Sequence, residues 1–375
     1  MKIAILVSRF TPCKLGGTEI ATYNIAKYLA QRGHEVHVIT STDNGLPQER
    51  VEDGFTVYRG RVTRKPVIGF ASFLIHAFRI IKKIDPDLIH AQSIELALDA
   101  MLITKIFKMP YLTWGRGSDI YLPSKFYKRF YRLSLSNADA VIVQTGDEKR
   151  ILQNTCNRNM VLMPNGIDME MFANLSREKT RSRLQIKEGE KLILFVGSLR
   201  TVKGVKYLIR AMNVIRQKEP KIRLMLVGDG DERQDLEKLT NSLNLADYIT
   251  FIGEVPNEEV PQYMAAADIF ILPSLSEGFP VVIVEAMAAG IPVVVTDITG
   301  LSEIVRDGEN GFLFESKNHM ELAEKVLLLL QDDELRQRIA QNNRQRVKDY
   351  TWNNIIDKLE EVYQEIVFPF KVNLT

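Results

Sequence analysis

The chain has 375 residues, with 49 Lys and Arg against 47 Asp and Glu, a formal net charge of +2. Apolar residues make up 45% and charged residues 26%, which excludes a disordered chain and, at roughly 100–200 residues per domain, points to two domains. Two cysteines, Cys13 and Cys156, are too few for a disulfide framework or a zinc site and point to a reducing compartment.

The N-terminus runs directly into Ile3–Val7, a continuous apolar stretch of the kind buried on both faces of a parallel sheet. No charged leader precedes it, so no secretory signal is expected. Gly16-Gly17-Thr18-Glu19 then opens an amphipathic segment, Glu19–Gln31, which Gly33 ends before a second strand at Glu35–Thr40. This is a βαβ unit. Paired glycines let a backbone approach a ligand closely, and a plain tight turn explains them equally. The spacing is not the G-x-G-x-x-G of a nicotinamide-dinucleotide site. Pro66–Phe78 is the longest uncharged stretch, short of the ~20 residues a membrane-spanning helix needs. Further strands are expected at Leu88–Ala91, Tyr111–Trp114 and Ala140–Gln144, with helices between them. His90 lies at the end of the first of these, either facing a ligand or satisfied in the core. Met163–Asp168 is rich in turn formers and reads as a hinge.

The second half repeats the scheme. Strands are expected at Leu192–Val196, Arg223–Val227, Tyr248–Ile252, Ile269–Leu272, Val293–Thr296 and Gly311–Phe314. Helical patterns fall at Gly204–Gln217, Glu232–Asn241, Val260–Ala266, Val281–Ala289 and Met320–Leu330, and a charged helical tail runs from Leu335 to about Ile366. Such alternation implies parallel sheets covered on both faces. The fold class is therefore α/β, with two doubly wound domains. Ligands of such sheets sit beyond the carboxyl ends of the strands, and a cleft between two such domains is a natural site.

Charge divides the chain as well. Residues 1–180 carry 25 Lys and Arg against 17 Asp and Glu, and the remainder 24 against 30. The basic excess gathers around Arg59, Arg61, Arg64 and Lys65, at Arg79, Lys82 and Lys83, and in Lys125–Arg132, where cations alternate with aromatics. A basic helix with an aromatic face suits an anionic membrane interface; a core-packing helix with solvated cations explains the same pattern. No nucleic-acid motif accompanies these patches, so nucleic acid is not expected as a partner.

The sharpest chemical signal is Glu277–Glu285, a Glu-Gly-Phe-Pro turn entering a helix after the strand Ile269–Leu272. A turn of this kind presents unpaired backbone N–H groups, which bind anions such as a diphosphate together with the helix dipole. Glu285 inside the helix could accept hydrogen bonds from two ribose hydroxyls, and Glu277 at its mouth from hydroxyls of a sugar; two solvent-facing glutamates explain the spacing equally. Lys203 precedes a helix, where a cation opposes the dipole at a cost of a few tenths of a kcal/mol. An anion between them would account for that cost, with Arg200 assisting; a tolerated surface lysine is the alternative. Asp229-Gly-Asp231 has the form of a metal-binding D-x-D but reads better as a strand end and helix cap. The five histidines show no metal-ligand spacing. Hydrolase elbows and P-loops are absent from the sequence.

Together these stretches resemble the retaining glycosyltransferases of the large family 4, which have the two-domain GT-B fold. The resemblance runs from Gly16-Gly17 to about Trp352. Glu277–Glu285 matches that family's E-x7-E motif, and Phe195-Val-Gly…Lys203-Gly204, Val227-Gly-Asp-Gly230, Pro164-Asn-Gly-Ile-Asp168 and Pro273-Ser274 follow in the family's order. The resemblance implies two Rossmann-like domains facing across a cleft: an acceptor-binding domain at 1–168, joined by a C-terminal helix at 353–375, and a nucleotide-sugar domain at 169–352. It implies a UDP- or GDP-linked hexose as donor, a hydroxyl acceptor, and no metal or other cofactor. Carried over residue by residue, Glu285 would bind the donor ribose, Glu277 the transferred sugar and Lys203 the diphosphate, with Arg200 as a further catalytic candidate. Gly17, Gly228, Gly253, Gly278, Phe279 and Pro280 would complete the donor site, the amides of the last three completing the diphosphate cradle. Gly16, Glu19, His90, Arg116 and Asp119 would lie on the acceptor or sugar side.

Two positions depart from the family pattern. Ser198 stands where the family usually has arginine, with Arg200 two places on. Arg116-Gly117-Ser118-Asp119 stands where it often has His-Gly-Ser/Thr-Asp. Arginine cannot accept a proton, so Arg116 is expected to contact phosphate or acceptor instead. Other readings on the same fold are a nucleotide-sugar epimerase or phosphorylase, and a non-catalytic sugar-nucleotide binder. An epimerase should carry a general base, and none is identifiable. The basic first domain points to a lipid-linked acceptor or cell-surface glycan precursor, and to a cytoplasmic protein in peripheral contact with the membrane.

Overall fold

The computed structural model describes residues 1–11, 16–42, 45–63 and 66–372. Cys13, Arg64, Lys65 and the final residues 373–375 lie outside them; Cys156 is a buried free thiol. Two compact units divide the chain, one formed by Met1–Gly166 with Trp352–Thr375 and the other by Ile167–Thr351.

The first unit holds eight strands: β1 (Lys2–Leu6), β2 (Glu35–Ser41), β3 (Glu49–Glu52), β4 (Phe55–Gly60), β5 (Leu88–Ala91), β6 (Tyr111–Trp114), β7 (Ala140–Val143) and β8 (Met160–Leu162). They form one sheet in the order β3-β4-β2-β1-β5-β6-β7-β8, parallel throughout except for the antiparallel β3/β4 edge pair. Strands that follow helices can pair in parallel because the helix carries the chain back across the sheet. Two apolar layers cover the faces. One includes Ala4, Leu6, Ile89 and Ala91 with helices Pro66–Ile84 and Ala97–Phe107. The other joins Ile3, Ile5 and Leu112 to helix Gly17–Gln31 and to Ile355, Leu359 and Tyr363 of the C-terminal helix Trp352–Val372. That last helix is fastened by polar contacts as well: Arg32 bonds Glu360 at 2.7 Å and His34 bonds Glu360 at 2.7 Å.

The expected helical tail comprises two helices, the second close to the C-terminal helix expected at 353–375. It breaks after Asp333–Arg346 and a short turn at Val347–Tyr350, then resumes at Trp352 in the first unit. Similarly, Lys125–Arg132 is not a continuous amphipathic helix but two short pieces, Lys125–Lys128 and Tyr131–Asn137. Its rings pack inward, Phe126 and Tyr127 against Phe70, while Lys125, Lys128, Arg129 and Arg132 stay exposed.

The second unit carries β9 (Lys191–Val196), β10 (Ile222–Val227), β11 (Ile249–Gly253), β12 (Ile269–Leu272), β13 (Val293–Thr296) and β14 (Gly311–Phe314). All pair in parallel, in the order β11-β10-β9-β12-β13-β14. Counted within the unit this is 3-2-1-4-5-6, the doubly wound order whose direction of winding reverses between strands 1 and 4. Here those strands are β9 and β12. Loops leaving them diverge to opposite faces and open a crevice at the strand ends.

Candidate active site

The loop after β9 ends in a tight turn at Thr201–Lys203 and enters helix Val205–Lys218 at Gly204. Gly204 has φ +62°, and a Cβ there would lie 2.1 Å from the Pro273 carbonyl oxygen after β12. Only glycine lets the two loops touch this way. The touch places Lys203 beside the loop after β12: its Nζ donates to Glu277 Oε1 at 2.6 Å, and the Ser274 hydroxyl donates to the same oxygen at 2.6 Å. Two residues separated by 74 positions thus meet at the switch point. The pairing corrects the simple picture of Lys203 as an unengaged ammonium waiting for an anion. Glu277 holds it, and Glu277 Oε2 is the oxygen left for another donor among the described residues.

Helix Val281–Ala288 begins four residues beyond Glu277, with Pro280 at its cap and no side-chain cap bond. The Pro280 carbonyl accepts from Ile283 N–H at 3.0 Å. Proline has no N–H, so Pro280 shapes the cradle and donates nothing to it. The donors at this end are the first-turn amides of Val281 and Val282, which lack an i−4 carbonyl by position, together with those of the Gly278-Phe279 loop. The Phe279 ring turns inward onto Tyr350, 6.0 Å away. Glu285 lies one turn further along the helix. Its carboxyl has no hydrogen-bond or ionic partner among the described residues, and burial pushes it up to about 7.

The remaining donor-side positions fall at neighbouring strand ends. Gly228, after β10, has φ +128°, and a Cβ would sit 2.0 Å from the Gly197 carbonyl oxygen, so this chain crossing also requires glycine. Its N–H donates to Gly253 O at 2.7 Å, which gives Gly253 a backbone role. Arg200 is exposed beside the Thr201–Lys203 turn. Asp229 is committed to Gly230 N–H at 2.7 Å and to Arg233 at 2.8 Å; the helix Arg233–Ser242 is capped at Glu232 without a side-chain bond, so the cap expected of the D-x-D is not made.

The first unit has its own opening, again between strands where the winding reverses. A pocket of about 290 Å³ lies beyond β1 and β5, walled by Ser8, Glu19, Gln92, Arg116 and Asp119 among others. Gly16 caps helix Gly17–Gln31, its N–H donating to Glu19 Oε2 at 3.1 Å. Asp119 is buried, with its oxygens accepting from Ile94 N–H at 2.6 Å and Arg116 N–H at 2.9 Å. It shapes the pocket wall and has little left to offer a ligand.

His90 is a correction. It is fully buried, its Nδ1 lies 2.7 Å from the Tyr363 hydroxyl of the C-terminal helix, and its ring stacks on Trp114. Burial, with the Arg116 charge adding to it, holds the imidazole well below its ordinary value. It is a neutral core residue that joins the C-terminal helix to the sheet, not a ligand contact. Arg116 is next to it: the guanidinium lies over the Trp114 ring, 4.1 Å from its centroid, and donates to Asn165 Oδ1 at 2.7 Å and to Gln92. Gln92, Asn165, Tyr363 and Glu148 were not among the sequence candidates. Asn165 lies in the Pro164–Asp168 stretch, but the other three come from distant positions outside the quoted motifs, and the topology brings them together.

Two family models cover most of the chain: Glycosyltransferase Family 4 over residues 15–171, and Glycosyl transferases group 1 over residues 176–346. An uncharacterized glycosyltransferase of Methanocaldococcus jannaschii is 31% identical across 97% of this chain and 98% of its own length. The chain belongs to the family 4 glycosyltransferases. Solved structures agree on the fold. The sucrose-phosphate synthase of Thermosynechococcus elongatus superposes with a TM-score of 0.85 at 24% identity, covering 97% of this chain and 98% of that one. HepE of Anabaena, solved in complex with UDP-glucose, gives 0.80 at 23%, covering 97% and 100%. This glycosyltransferase therefore has the two-domain GT-B architecture.

Proposed function

We propose that the chain transfers a hexose-type sugar from a nucleoside-diphosphate donor to an acceptor hydroxyl, with retention of anomeric configuration and without a metal. One observation carries this reading: Lys203, Glu277 and Ser274 converge at the β9/β12 switch point, at the mouth of the helix Val281–Ala288. A diphosphate seated there would meet an ammonium group and the first-turn amides. In the transfer, the bond from the anomeric carbon to the diphosphate oxygen breaks and the acceptor oxygen bonds that carbon on the same face. The acceptor's proton passes to the departing phosphate oxygen. Negative charge grows on the leaving group, and fixed donors aimed there lower the barrier. No protein base is required, which suits a site whose nearest carboxylate, Glu277, already holds a lysine.

In this reading Glu285 accepts from the donor ribose and Glu277 Oε2 from the sugar. HepE, of the same fold, binds UDP-glucose, which favours UDP over GDP for the donor here. The acceptor lies on the first unit, in the pocket beyond β1 and β5.

The test is acceptor-dependent release of nucleoside diphosphate from a panel of UDP- and GDP-sugars. Release that depends on acceptor upholds the reading. An isomeric nucleotide sugar formed without acceptor would replace it with an epimerase, and ligand binding without turnover would replace it with a sensor.

The proposal extends to peripheral contact with the cytoplasmic face of a membrane. No helix among the described residues is long and apolar enough to cross one. Exposed Val67, Ile68 and Ile75 on helix Pro66–Ile84 accompany the exposed cations of Lys125–Arg132, and apolar and basic surface together suit anionic lipid. Sedimentation with anionic liposomes checks this: neutralising Lys125, Lys128, Arg129 and Arg132 should release the protein, and unchanged binding would defeat the idea.

A further inference from the structure

The first unit's pocket is lined by two arginines, Arg9 and Arg116, and three carboxylates, Glu19, Glu95 and Asp119. Each carboxylate accepts from backbone amides, Asp119 from Ile94 and Arg116, Glu19 from Gly16, and Glu95 from Ser124 at 3.0 Å. Arg116 is in the opposite position. Its partners, Asn165, Gln92 and the Trp114 face, are all uncharged. No carboxylate among the described residues forms an ion pair with it, and its Nε is sealed from solvent without a hydrogen bond. Burial lowers it to about 9, against the opposing pull of the Asp119 and Glu148 carboxylates. Glu148 itself is raised by burial to about 7. A second cation, Arg9, stands exposed on the same wall.

Holding a cation out of water without a carboxylate in direct contact is costly. The neutral contacts fix the orientation of the guanidinium, while Asp119 and Glu148 attract it only from a distance. Such an arrangement is pre-organised for an incoming oxyanion, because a planar guanidinium matches phosphate and carboxylate in a bidentate way.

We infer that the acceptor of this enzyme bears a phosphate or carboxylate group, and that Arg116 is the residue that selects it. The inference deepens the functional reading above and rests on it for the word acceptor.

The experiment compares acceptors in matched pairs, the same polyol with and without a phosphate and the same hydroxy acid as carboxylate or amide. In the wild type, kcat/KM should favour the charged member at least tenfold. Arg116→Gln should lower kcat/KM for the charged member roughly 10- to 100-fold, the value of one hydrogen bond to a charged group, and bring the ratio towards one. Arg116→Lys should keep part of the preference. Equal use of both members by the wild type, or an equal loss for both in the variant, overturns the inference. If Arg116→Gln does not fold, the wild-type ratio alone decides.

Calorimetric titration with inorganic phosphate separates this inference from the reading beneath it. Phosphate bound by the wild type and not by Arg116→Gln, with no acceptor supporting transfer, keeps the anion site and removes the transferase reading. Transfer to neutral acceptors with no phosphate binding does the reverse. A soluble glycerol phosphate that competes as well as phosphatidic-acid vesicles indicates a free acceptor, and competition by vesicles alone indicates a lipid headgroup; either upholds the anion.

Discussion

The two units treat a cation at a strand end in opposite ways. In the second, Lys203 is answered by Glu277 at 2.6 Å, and Ser274 donates to the same carboxylate oxygen. In the first, Arg116 is steered by an amide oxygen at Asn165 and by an indole, and no carboxylate among the described residues forms an ion pair with it. A paired ammonium can stay in place through a catalytic cycle in which an anion arrives and leaves. An unpaired guanidinium is comfortable only when the anion is present. The same doubly wound geometry therefore supports a site built around charge that develops during reaction and another built around charge that the ligand brings.

The largest effect should come from the paired cation. Lys203→Ala is expected to remove about 2.7–4 kcal/mol of transition-state stabilisation, the range for losing one donor to a developing oxyanion, read as a fall in kcat. A near-normal kcat would break the electrostatic argument. A double-mutant cycle with Glu277→Gln sharpens it, because residues in contact lose less together than the sum of their separate losses.

Stability should separate the two cations next. Lys203→Ala strands the Glu277 carboxylate, which is mostly buried, and should cost about 1–3 kcal/mol in denaturant unfolding. Arg116→Gln removes a charge that no carboxylate contacts directly, although Asp119 and Glu148 attract it, and should cost less. Reversal of that order would contradict the contrast.

A smaller effect concerns pH. Glu285 sits near 7 because burial raises it with no partner among the described residues, and its carboxylate form accepts from two ribose hydroxyls more strongly than the protonated acid, which turns one oxygen into a donor. Donor KM should therefore rise about tenfold from pH 8 to pH 6, as a group titrating near 7 loses its charged form, and Glu285→Gln should flatten the profile. The sign for stability is opposite. The folded carboxyl holds its proton more tightly than a solvated glutamate does, so the favourable contribution is full below the ordinary glutamate range and lost as pH rises through about 7. Glu285→Gln should accordingly be the more stable protein at pH 8, by roughly 1–3 kcal/mol. A flat wild-type KM profile would remove Glu285 from the donor site.

Much of the scaffold was legible because parallel strands buried on both faces are unbroken apolar runs. Leu88–Ala91, Ile269–Leu272 and Val293–Thr296 were read to the residue for this reason. Glu49–Glu52 was not: it is a mostly exposed edge strand without an apolar run, and its pairing with Phe55–Gly60 supplies the signal that its composition lacks. The helical tail and the C-terminal helix at 353–375 in the first unit were both legible, whereas the turn at Val347–Tyr350 that separates the two helices was not. Within the site, Lys203 and Glu277 could be proposed separately from turn and helix signals. Their pairing could not, since it depends on Gly204 letting two distant loops touch. His90 shows the limit most clearly. A histidine at a strand end is equally a ligand contact or a core residue until Tyr363, 273 positions away, occupies it.

A structure of the protein with its nucleotide-sugar donor tests the central claim most directly. The account predicts the diphosphate within hydrogen-bonding distance of Lys203 Nζ and of the amides at Gly278, Phe279, Val281 or Val282. A diphosphate seated away from the β9 and β12 strand ends would contradict it.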